Sequence, residues 1–206
     1  MNNLINASPE HIISNHSPVP PLASLRLPGD LAMWFFILAE LTVFAILFIG
    51  FAIAEQHQSD VFSLGKTQLH QMSGLINTLA LITSSYFVAI ALRAMHLEQG
   101  KKSASLLVVA KFFACIYIGV KVWEYLTLLN QGIDIETNTF FTLYFMITCF
   151  HLMHVLLGMV ILFFVAIKAA KGGYDKNNIS GFESGASYWH MVDLLWIILF
   201  PLIYVI

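Results

Sequence analysis

The sequence predicts an all-α integral membrane protein, a bundle of five transmembrane helices. Of its 206 residues, 58% are hydrophobic and 11% are charged, whereas soluble domains are about 45–50% apolar and about 25% charged. Apolar residues continue for about 20 positions several times along the chain, which is the length that a helix needs to cross the hydrocarbon core of a bilayer. The net charge of −2 excludes a nucleic-acid partner bound through neutralisation of its phosphates.

Five segments are long and apolar enough to span the membrane. They cover roughly residues 31–54, 69–92, 104–129, 139–167 and 185–206. The segments between them are short and carry polar or helix-breaking residues, as expected of connections at the membrane surface. Residues 1–28 are polar and contain prolines at 18, 20 and 21. We therefore predict a polar N-terminal lead-in over residues 1–28 and a single five-helix transmembrane domain over residues 29–206.

Basic residues are distributed unequally between the two sides of the predicted bundle. One side carries seven of them: Arg26, Arg93, Lys101, Lys102, Lys168, Lys171 and Lys176. The other side carries Lys66, together with the acidic residues Glu55, Asp60, Asp134 and Glu136. Because loops rich in lysine and arginine stay in the cytoplasm, the sequence predicts a cytoplasmic N-terminus and a C-terminus outside.

Three ionisable side chains lie at similar depths, and each is a candidate site because charge is costly inside a membrane. At about 1.5 Å per residue, Glu40 lies about 14 Å from the cytoplasmic end of the first span, and His190 and Asp193 lie about 8–12 Å deep in the fifth. Glu40 could be a proton-relay carboxylate, a neutral acid bonded to a neighbouring helix, or a contact to a partner subunit. We expect at least one of the three groups to have an interhelical polar partner.

Two further histidines, His151 and His154, share a face of the fourth span, about 20–24 Å from the cytoplasmic side. They could ligate haem or a metal, or form interhelical hydrogen bonds that fix the packing. A haem that bridges two helices needs histidines at matching depth, and His190 is offset from this pair by about 10–15 Å. Two histidines on one helix also cannot reach opposite faces of a haem. We therefore favour the packing role.

The third span contains two lysines at different depths. Lys121 and Glu124 are three residues apart near the outer end, where an intrahelical ion pair or snorkelling toward water costs little. Lys111 lies nearer the cytoplasmic side, from which its side chain can reach lipid headgroups. Neither lysine by itself indicates a cofactor site.

Five segments, spread over the five spans, resemble segments of subunit III of the haem–copper oxidases. The most specific is GFESGASYWHMVDLLW at residues 181–196, which is similar to that family's GFE…YWHxVDxxW signature. CFHLMHVLLG at 149–158 resembles its HxxHVxxG segment, and GVKVWEY at 119–125 the glutamate-aromatic end of one of its helices. LINTLALITSS at 75–85 resembles its NTxxLxxSS helix, and WFFILAELTVF at 34–44 its FxxSE helix. The last match places Glu40 at the family's intramembrane glutamate.

The resemblance and the predicted depths divide the candidate residues into two groups. We expect intramembrane polar residues with a structural role to be Glu40, Asn77, Glu124, His151, His154, His190 and Asp193. We expect contacts to lipid or to a neighbouring subunit from Trp34, Lys111, Trp189 and Trp196. No residue of the chain is predicted to be catalytic, to bind a cofactor or to bind a metal.

The resemblance implies an accessory subunit of the bacterial inner membrane, with no haem, copper or electron path of its own and with phospholipid as a possible ligand. Such a subunit packs beside the catalytic, haem-binding subunit, where haem and copper or iron are expected. It supports the assembly, stability and sustained turnover of that subunit. Two other classes stay open at this point: a proton- or ion-conducting transporter or channel, and a haem-carrying membrane cytochrome.

Two features of the sequence concern the parent complex. Many family members have seven helices, whereas five-helix versions, such as the one predicted here, occur with quinol oxidases and with nitric oxide reductases. PGDLAMWFFILAE at residues 28–40 most resembles the nitric-oxide-reductase-associated members, and Ala39 stands where oxygen-reducing members commonly have serine. The resemblance therefore leaves open whether the parent complex reduces oxygen or nitric oxide.

Overall fold

The computed structural model of the protein describes residues 30–174 and 178–205, which form six α-helices. They are α1 (Leu31–His57), α2 (Ser59–Gln68), α3 (Gln71–His96), α4 (Gly100–Asn130), α5 (Thr139–Ala170) and α6 (Ser180–Tyr204). All regular secondary structure in the described ranges is helical, which confirms the all-α prediction. The predicted N-terminal lead-in lies outside the described residues.

Five of these helices, α1 and α3 to α6, are long and apolar enough to cross a membrane. They contain 25 to 32 residues, whereas about 20 residues span a typical hydrocarbon core. Their ends therefore extend past several of the predicted bounds, and α6, for example, begins at Ser180 rather than at residue 185. Hydropathy falls where the side chains become polar, but the helix continues until its backbone hydrogen bonding ends. The chain is a multi-pass membrane protein.

The short helix α2 lies between α1 and α3, where we predicted only a connecting segment. Phe62 of α2 is fully buried, and its ring packs edge-on against Phe51 of α1 and Phe140 of α5. Gly65 lies directly against the ring of Phe140, closer than a side chain at position 65 would allow. Hydropathy cannot reveal α2, because its 10 residues are too few and too polar to indicate a span.

Helices α3 to α6 form the core of the bundle, in which α3 and α4 pack as a close antiparallel hairpin. The Ser84 hydroxyl of α3 donates to the carbonyl oxygen of Ala110 in α4, with an oxygen–oxygen distance of 2.8 Å. The Ser103 hydroxyl of α4 donates likewise to the carbonyl oxygen of Ala91, also at 2.8 Å. Small residues and interhelical hydroxyl bonds are common where membrane helices pack closely, and these two bonds define the register of the hairpin.

Helix α1 lies at the edge of the bundle, against α5 and α6. Its buried residues are Ile37, Phe44 and Phe51, which are seven positions apart and therefore form one stripe along the helix. Other large apolar side chains of α1, such as Phe35 and Ile46, are exposed. A narrow seam thus attaches α1 to the core, and much of its remaining surface is open to lipid or to another subunit.

Small residues let membrane helices approach closely, so the sequence predicts packing of the bundle around glycines such as Gly119 and Gly158. The surroundings of these two glycines differ. Gly158 of α5 is at such an interface, because a Cβ atom there would lie 2.9 Å from the ring of Trp189. Gly119 of α4 is exposed, with nothing within 4 Å of a Cβ atom. The expectation is therefore confirmed for Gly158 and wrong for Gly119, because the sequence does not determine which way a helix is rotated.

Candidate functional site

A glutamate and a histidine join α1 to α5 at membrane depth. The Nε2 atom of His154 lies 2.9 Å from Oε2 of Glu40. Both side chains are mostly buried, with 9% of the His154 side chain and 19% of the Glu40 side chain exposed. The rings of Phe44 and Phe150 pack edge-on against the imidazole. Glu40 therefore bonds within the chain, on the seam that attaches α1.

The second ring nitrogen of His154 restricts where the protons of this pair can be. Its Nδ1 atom lies 2.7 Å from the carbonyl oxygen of Phe150, and since a carbonyl only accepts, Nδ1 carries a hydrogen and donates it. A neutral imidazole then has only an acceptor at Nε2. The contact with Glu40 is consequently either a carboxylic acid that donates to a neutral histidine or a carboxylate that accepts from an imidazolium. In both cases the pair holds one shared proton and is neutral overall.

This pairing confirms the prediction that at least one of Glu40, His190 and Asp193 has an interhelical polar partner. The partner, His154, is a residue that the depth estimates had placed at a different level from Glu40. Counting residues from the helix ends put His154 about 20 Å from the cytoplasmic side and Glu40 about 14 Å from it. The count assumed that the ends of the helices lie at one level. Helix α5 has 32 residues and would extend about 48 Å, so its end does not mark the membrane boundary.

A second polar cluster joins α3 to α6. Oγ of Ser85 lies 2.6 Å from Nδ1 of His190, so His190 also has an interhelical partner. Asp193, three residues further along α6, is 7% exposed. The Asp193 carboxylate also has a side-chain hydrogen bond with Ser85. The carboxylate and the imidazole thus lie on the side of α6 that meets α3, as their shared helix face predicted.

The third cluster is a buried ion pair between Lys121 and Glu124 on α4. Both residues are almost completely buried, at 0% and 1% exposed. The Lys121 ammonium donates to Oε2 of Glu124 at 2.9 Å, to the Tyr144 hydroxyl at 3.0 Å and to the Tyr204 hydroxyl at 2.9 Å. An ammonium has three hydrogens to donate, so each has an acceptor. The predicted intrahelical pair is confirmed, and the alternative of snorkelling is wrong for Lys121.

The two tyrosines connect this ion pair to α5 and α6. The Tyr204 hydroxyl near the end of α6 is 2.8 Å and 3.0 Å from the two carboxylate oxygens of Glu124, and it therefore donates to the acid while it accepts from Lys121. The rings of Tyr144 and Trp196 lie within 5.4 Å of the ammonium, where aromatic faces stabilise a cation. The sequence identified Glu124 as a candidate residue, and its spacing of three residues from Lys121 allowed an intrahelical pair. No sequence pattern indicated that Tyr144 and Tyr204 would bond to this ion pair.

Trp189 and Trp196 lie inside the bundle, at 1% and 0% exposed. The Nε1–H group of Trp196 donates to Oγ1 of Thr78 on α3 at 3.0 Å. The ring of Trp189 packs over Gly158 of α5. The expectation that these two tryptophans contact lipid or another subunit is therefore wrong, because a large, mostly apolar ring also fills the space between packed helices.

Trp34 and Lys111 remain open to the membrane. Trp34 is half-buried and lines an apolar groove between α1 and α6 that also includes His190. Nζ of Lys111 lies 4.3 Å from the centroid of the Phe163 ring, a cation–π contact between α4 and α5. Contact of Trp34 and Lys111 with lipid or with another subunit stays a prediction.

Two of the residues named by the sequence, Asn77 and His151, are completely buried in the centre of the core. The imidazole of His151 lies beside the rings of Tyr117 and Trp196. Trp196 is six residues beyond His190 on α6, or about 9 Å, so the two histidines lie at different depths, with an offset somewhat smaller than the predicted 10–15 Å. In residues 30–174 and 178–205, no group of three or more His, Cys, Asp or Glu side chains is placed to hold a metal ion.

Comparison with known proteins indicates the family to which the chain belongs. The profile of the family described as cytochrome c oxidase subunit III matches residues 26–206. A relative named probable quinol oxidase subunit 3, from Staphylococcus saprophyticus, is 28% identical over 179 residues, which cover 86% of this chain and 89% of the relative. The protein of the same name from Staphylococcus aureus strain USA300 has the same identity and coverage. Since the family match includes all five membrane-spanning helices, the chain belongs to the cytochrome c oxidase subunit III family and is a subunit III of the haem–copper oxidases.

Proposed function

We propose that this subunit III is a cofactor-free accessory subunit of the bacterial inner membrane that supports assembly, stability and sustained turnover of its catalytic partner. The supporting observation is that two sets of ionisable groups at membrane depth bond to groups on neighbouring helices. Both ring nitrogens of His154 have partners in the chain, and the Lys121 ammonium has three. These groups stabilise the bundle instead of extending toward a ligand.

Within this function, the hydrogen bond between Glu40 and His154 holds α1 on the core. We call this pair of residues the latch. Helix α1 has one narrow buried stripe, so a polar bond on that seam adds to a limited set of packing contacts. Interhelical hydrogen bonds in membranes contribute about 0.6–2 kcal/mol each. Losing the latch would thus loosen α1 without unfolding the chain, and would weaken whatever subunit contact the exposed face of α1 makes.

The latch predicts different results for two substitutions at the same position. In Glu40→Gln, the amide can still donate to Nε2 of His154, so the bond between α1 and α5 is retained and the ionisable acid is lost. In Glu40→Ala the bond itself is lost. We expect the Gln variant to assemble and to turn over at nearly the normal initial rate. We expect the Ala variant to lose subunits or to inactivate early, with normal haem content per catalytic subunit.

The deciding measurement is the initial rate of the purified complex, normalised to haem, followed by the time course of inactivation. Glu136→Gln is the matched control, because it makes the same chemical change at an exposed position in the loop before α5. A rate near zero for an intact Glu40→Gln complex would contradict the accessory role and would identify Glu40 as an obligatory proton carrier.

The parent complex is the finer part of the proposal. The names of the two relatives favour a quinol oxidase, whereas the segment at residues 28–40 resembles nitric-oxide-reductase-associated members. Affinity purification of the tagged chain, with mass spectrometry of the subunit that accompanies it, distinguishes the two. Consumption of oxygen or of nitric oxide by that complex, with quinol and with reduced cytochrome c as donors, then identifies both substrates. Recovery of the chain with no haem protein at all would contradict the proposed role.

A further inference from the structure

The register of the α3–α4 hairpin brings two buried polar residues together in the middle of the bundle. The bonds from Ser84 to Ala110 and from Ser103 to Ala91 are seven residues apart on each helix. A further step of seven residues along both helices places Asn77 of α3 opposite Tyr117 of α4. This continuation is supported one step further on, where His70 at the start of α3 contacts the ring of Trp123 in α4, with centroids 5.6 Å apart.

The same layer continues into α5 and α6. The ring of Tyr117 has its centroid 5.9 Å from that of His151 on α5 and 5.0 Å from that of Trp196 on α6. The centroids of His151 and Trp196 are 5.3 Å apart. We call Asn77, Tyr117 and His151 the central layer. All four core helices meet at this level, because Trp196 is also bonded to Thr78 of α3.

The central layer has more polar atoms without a hydrogen-bond partner than the other polar clusters, although Oδ1 of Asp193 in the cluster between α3 and α6 also has none among the described residues. Asn77, Tyr117 and His151 are each 0% exposed. Within residues 30–174 and 178–205, however, no group bonds to the Asn77 amide nitrogen and oxygen, the Tyr117 hydroxyl or the two ring nitrogens of His151. Tyr144, equally buried, has its hydroxyl bonded to Lys121. Buried polar atoms in native proteins almost always have a protein or water partner, because leaving one without a partner is costly.

We propose that the central layer is a binding site for about two ordered water molecules, since a buried water typically makes about three hydrogen bonds. Water suits the chemistry of the layer, because the amide, the hydroxyl and the neutral imidazole all offer both donors and acceptors. A metal ion does not suit it, since His151 alone supplies a strong metal ligand there. The waters hydrogen-bond α3, α4 and α5 to one another in the middle of the membrane.

The first test measures whether Tyr117→Phe lowers or raises the melting temperature of the purified complex. If water bonds to the Tyr117 hydroxyl, Tyr117→Phe removes those bonds and lowers the melting temperature. If the hydroxyl has no partner, the same change removes a buried penalty and raises the melting temperature. Tyr144→Phe is the reference for loss of a hydroxyl that has a protein partner, and it lowers the melting temperature in either case. A higher melting temperature for Tyr117→Phe would overturn the proposal.

The second test detects the water itself in the same complex, by X-ray radiolysis that generates hydroxyl radicals from bound water. We expect Tyr117 and His151 to be labelled several-fold faster than Tyr188, which is equally buried and whose hydroxyl donates to the His154 carbonyl oxygen at 3.4 Å. Replacing Asn77 by Leu should reduce the labelling of Tyr117, because the two share a water. Labelling of Tyr117 no faster than that of Tyr188 would overturn the proposal whatever the melting temperatures show.

Discussion

Replacing Lys121 by Met should be among the most destabilising single changes in the chain. Methionine has a similar length and fits the same space, but it leaves the Glu124 carboxylate buried at 1% exposure without its cation. It also removes the donor to two tyrosine hydroxyls. Removing one partner of a buried ion pair typically costs about 3–5 kcal/mol, because the remaining charge is uncompensated.

The same reasoning predicts partial rescue by a second substitution. In the double variant Lys121→Met with Glu124→Gln, no buried charge remains, and the amide introduced at position 124 can still bond to Tyr204. Replacing a buried pair by neutral groups of similar volume is often close to neutral. The double variant should therefore be more stable than Lys121→Met alone, with a coupling energy on the order of 2–3 kcal/mol, within the range found for residues in direct contact.

The assay is a double-mutant cycle on the purified complex, with thermal unfolding and loss of the subunit on native gels as readouts. Lys111→Met is the matched control, because it removes a lysine from the same helix that has a cation–π contact to Phe163 in place of a buried ion pair. Additive effects of the two single substitutions, with no coupling, would refute the assignment of Lys121 and Glu124 as a mutually compensating buried pair. A loss of stability in Lys121→Met no larger than that in Lys111→Met would also refute this assignment.

Three further predictions concern packing, topology and cofactors. Gly158→Ala should destabilise the complex by about 1–3 kcal/mol through overpacking against Trp189, whereas Gly119→Ala should be neutral or stabilising by up to about 1 kcal/mol through helix propensity; thermal unfolding compares them. A reporter enzyme that works only outside the cytoplasm should be active when fused after Ile206. The chain purified away from its partners should show no Soret absorption and bind no stoichiometric copper or iron.

Each of these has an outcome that contradicts it. Equal destabilisation by the two glycine substitutions would show that Gly158 is not a close-packing position. Activity of a cytoplasm-only reporter after Ile206 would reverse the predicted orientation. Haem or metal that stays with the isolated chain and is lost on substitution of His151 or His154 would contradict the packing role of these histidines.

The amino-acid sequence alone determined the class of the protein and the residues that matter inside it. Apolar length is a local property. Inside a bilayer the backbone hydrogen bonds must be satisfied by a helix or a closed barrel, and runs of about 20 apolar residues have the length of a spanning helix and not of a spanning strand, so five such runs indicated five helices. The cost of a charge at membrane depth singled out Glu40 and the histidines by the same local logic. The spacing of Lys121 and Glu124 allowed an intrahelical pair, but it left snorkelling of the lysine open as the alternative.

Only the tertiary structure decided which of these residues meet. Glu40 binds His154, Lys121 lies between two tyrosines, and Asn77 lies opposite Tyr117, because the rotation and the axial offset of each helix follow from packing along its whole length. In water, hydropathy would reveal the buried face of a helix. In a bilayer, lipid and protein interior are both apolar, so the sequence cannot distinguish an exposed Gly119 from a buried Gly158, or a lipid-facing tryptophan from Trp196 in the core.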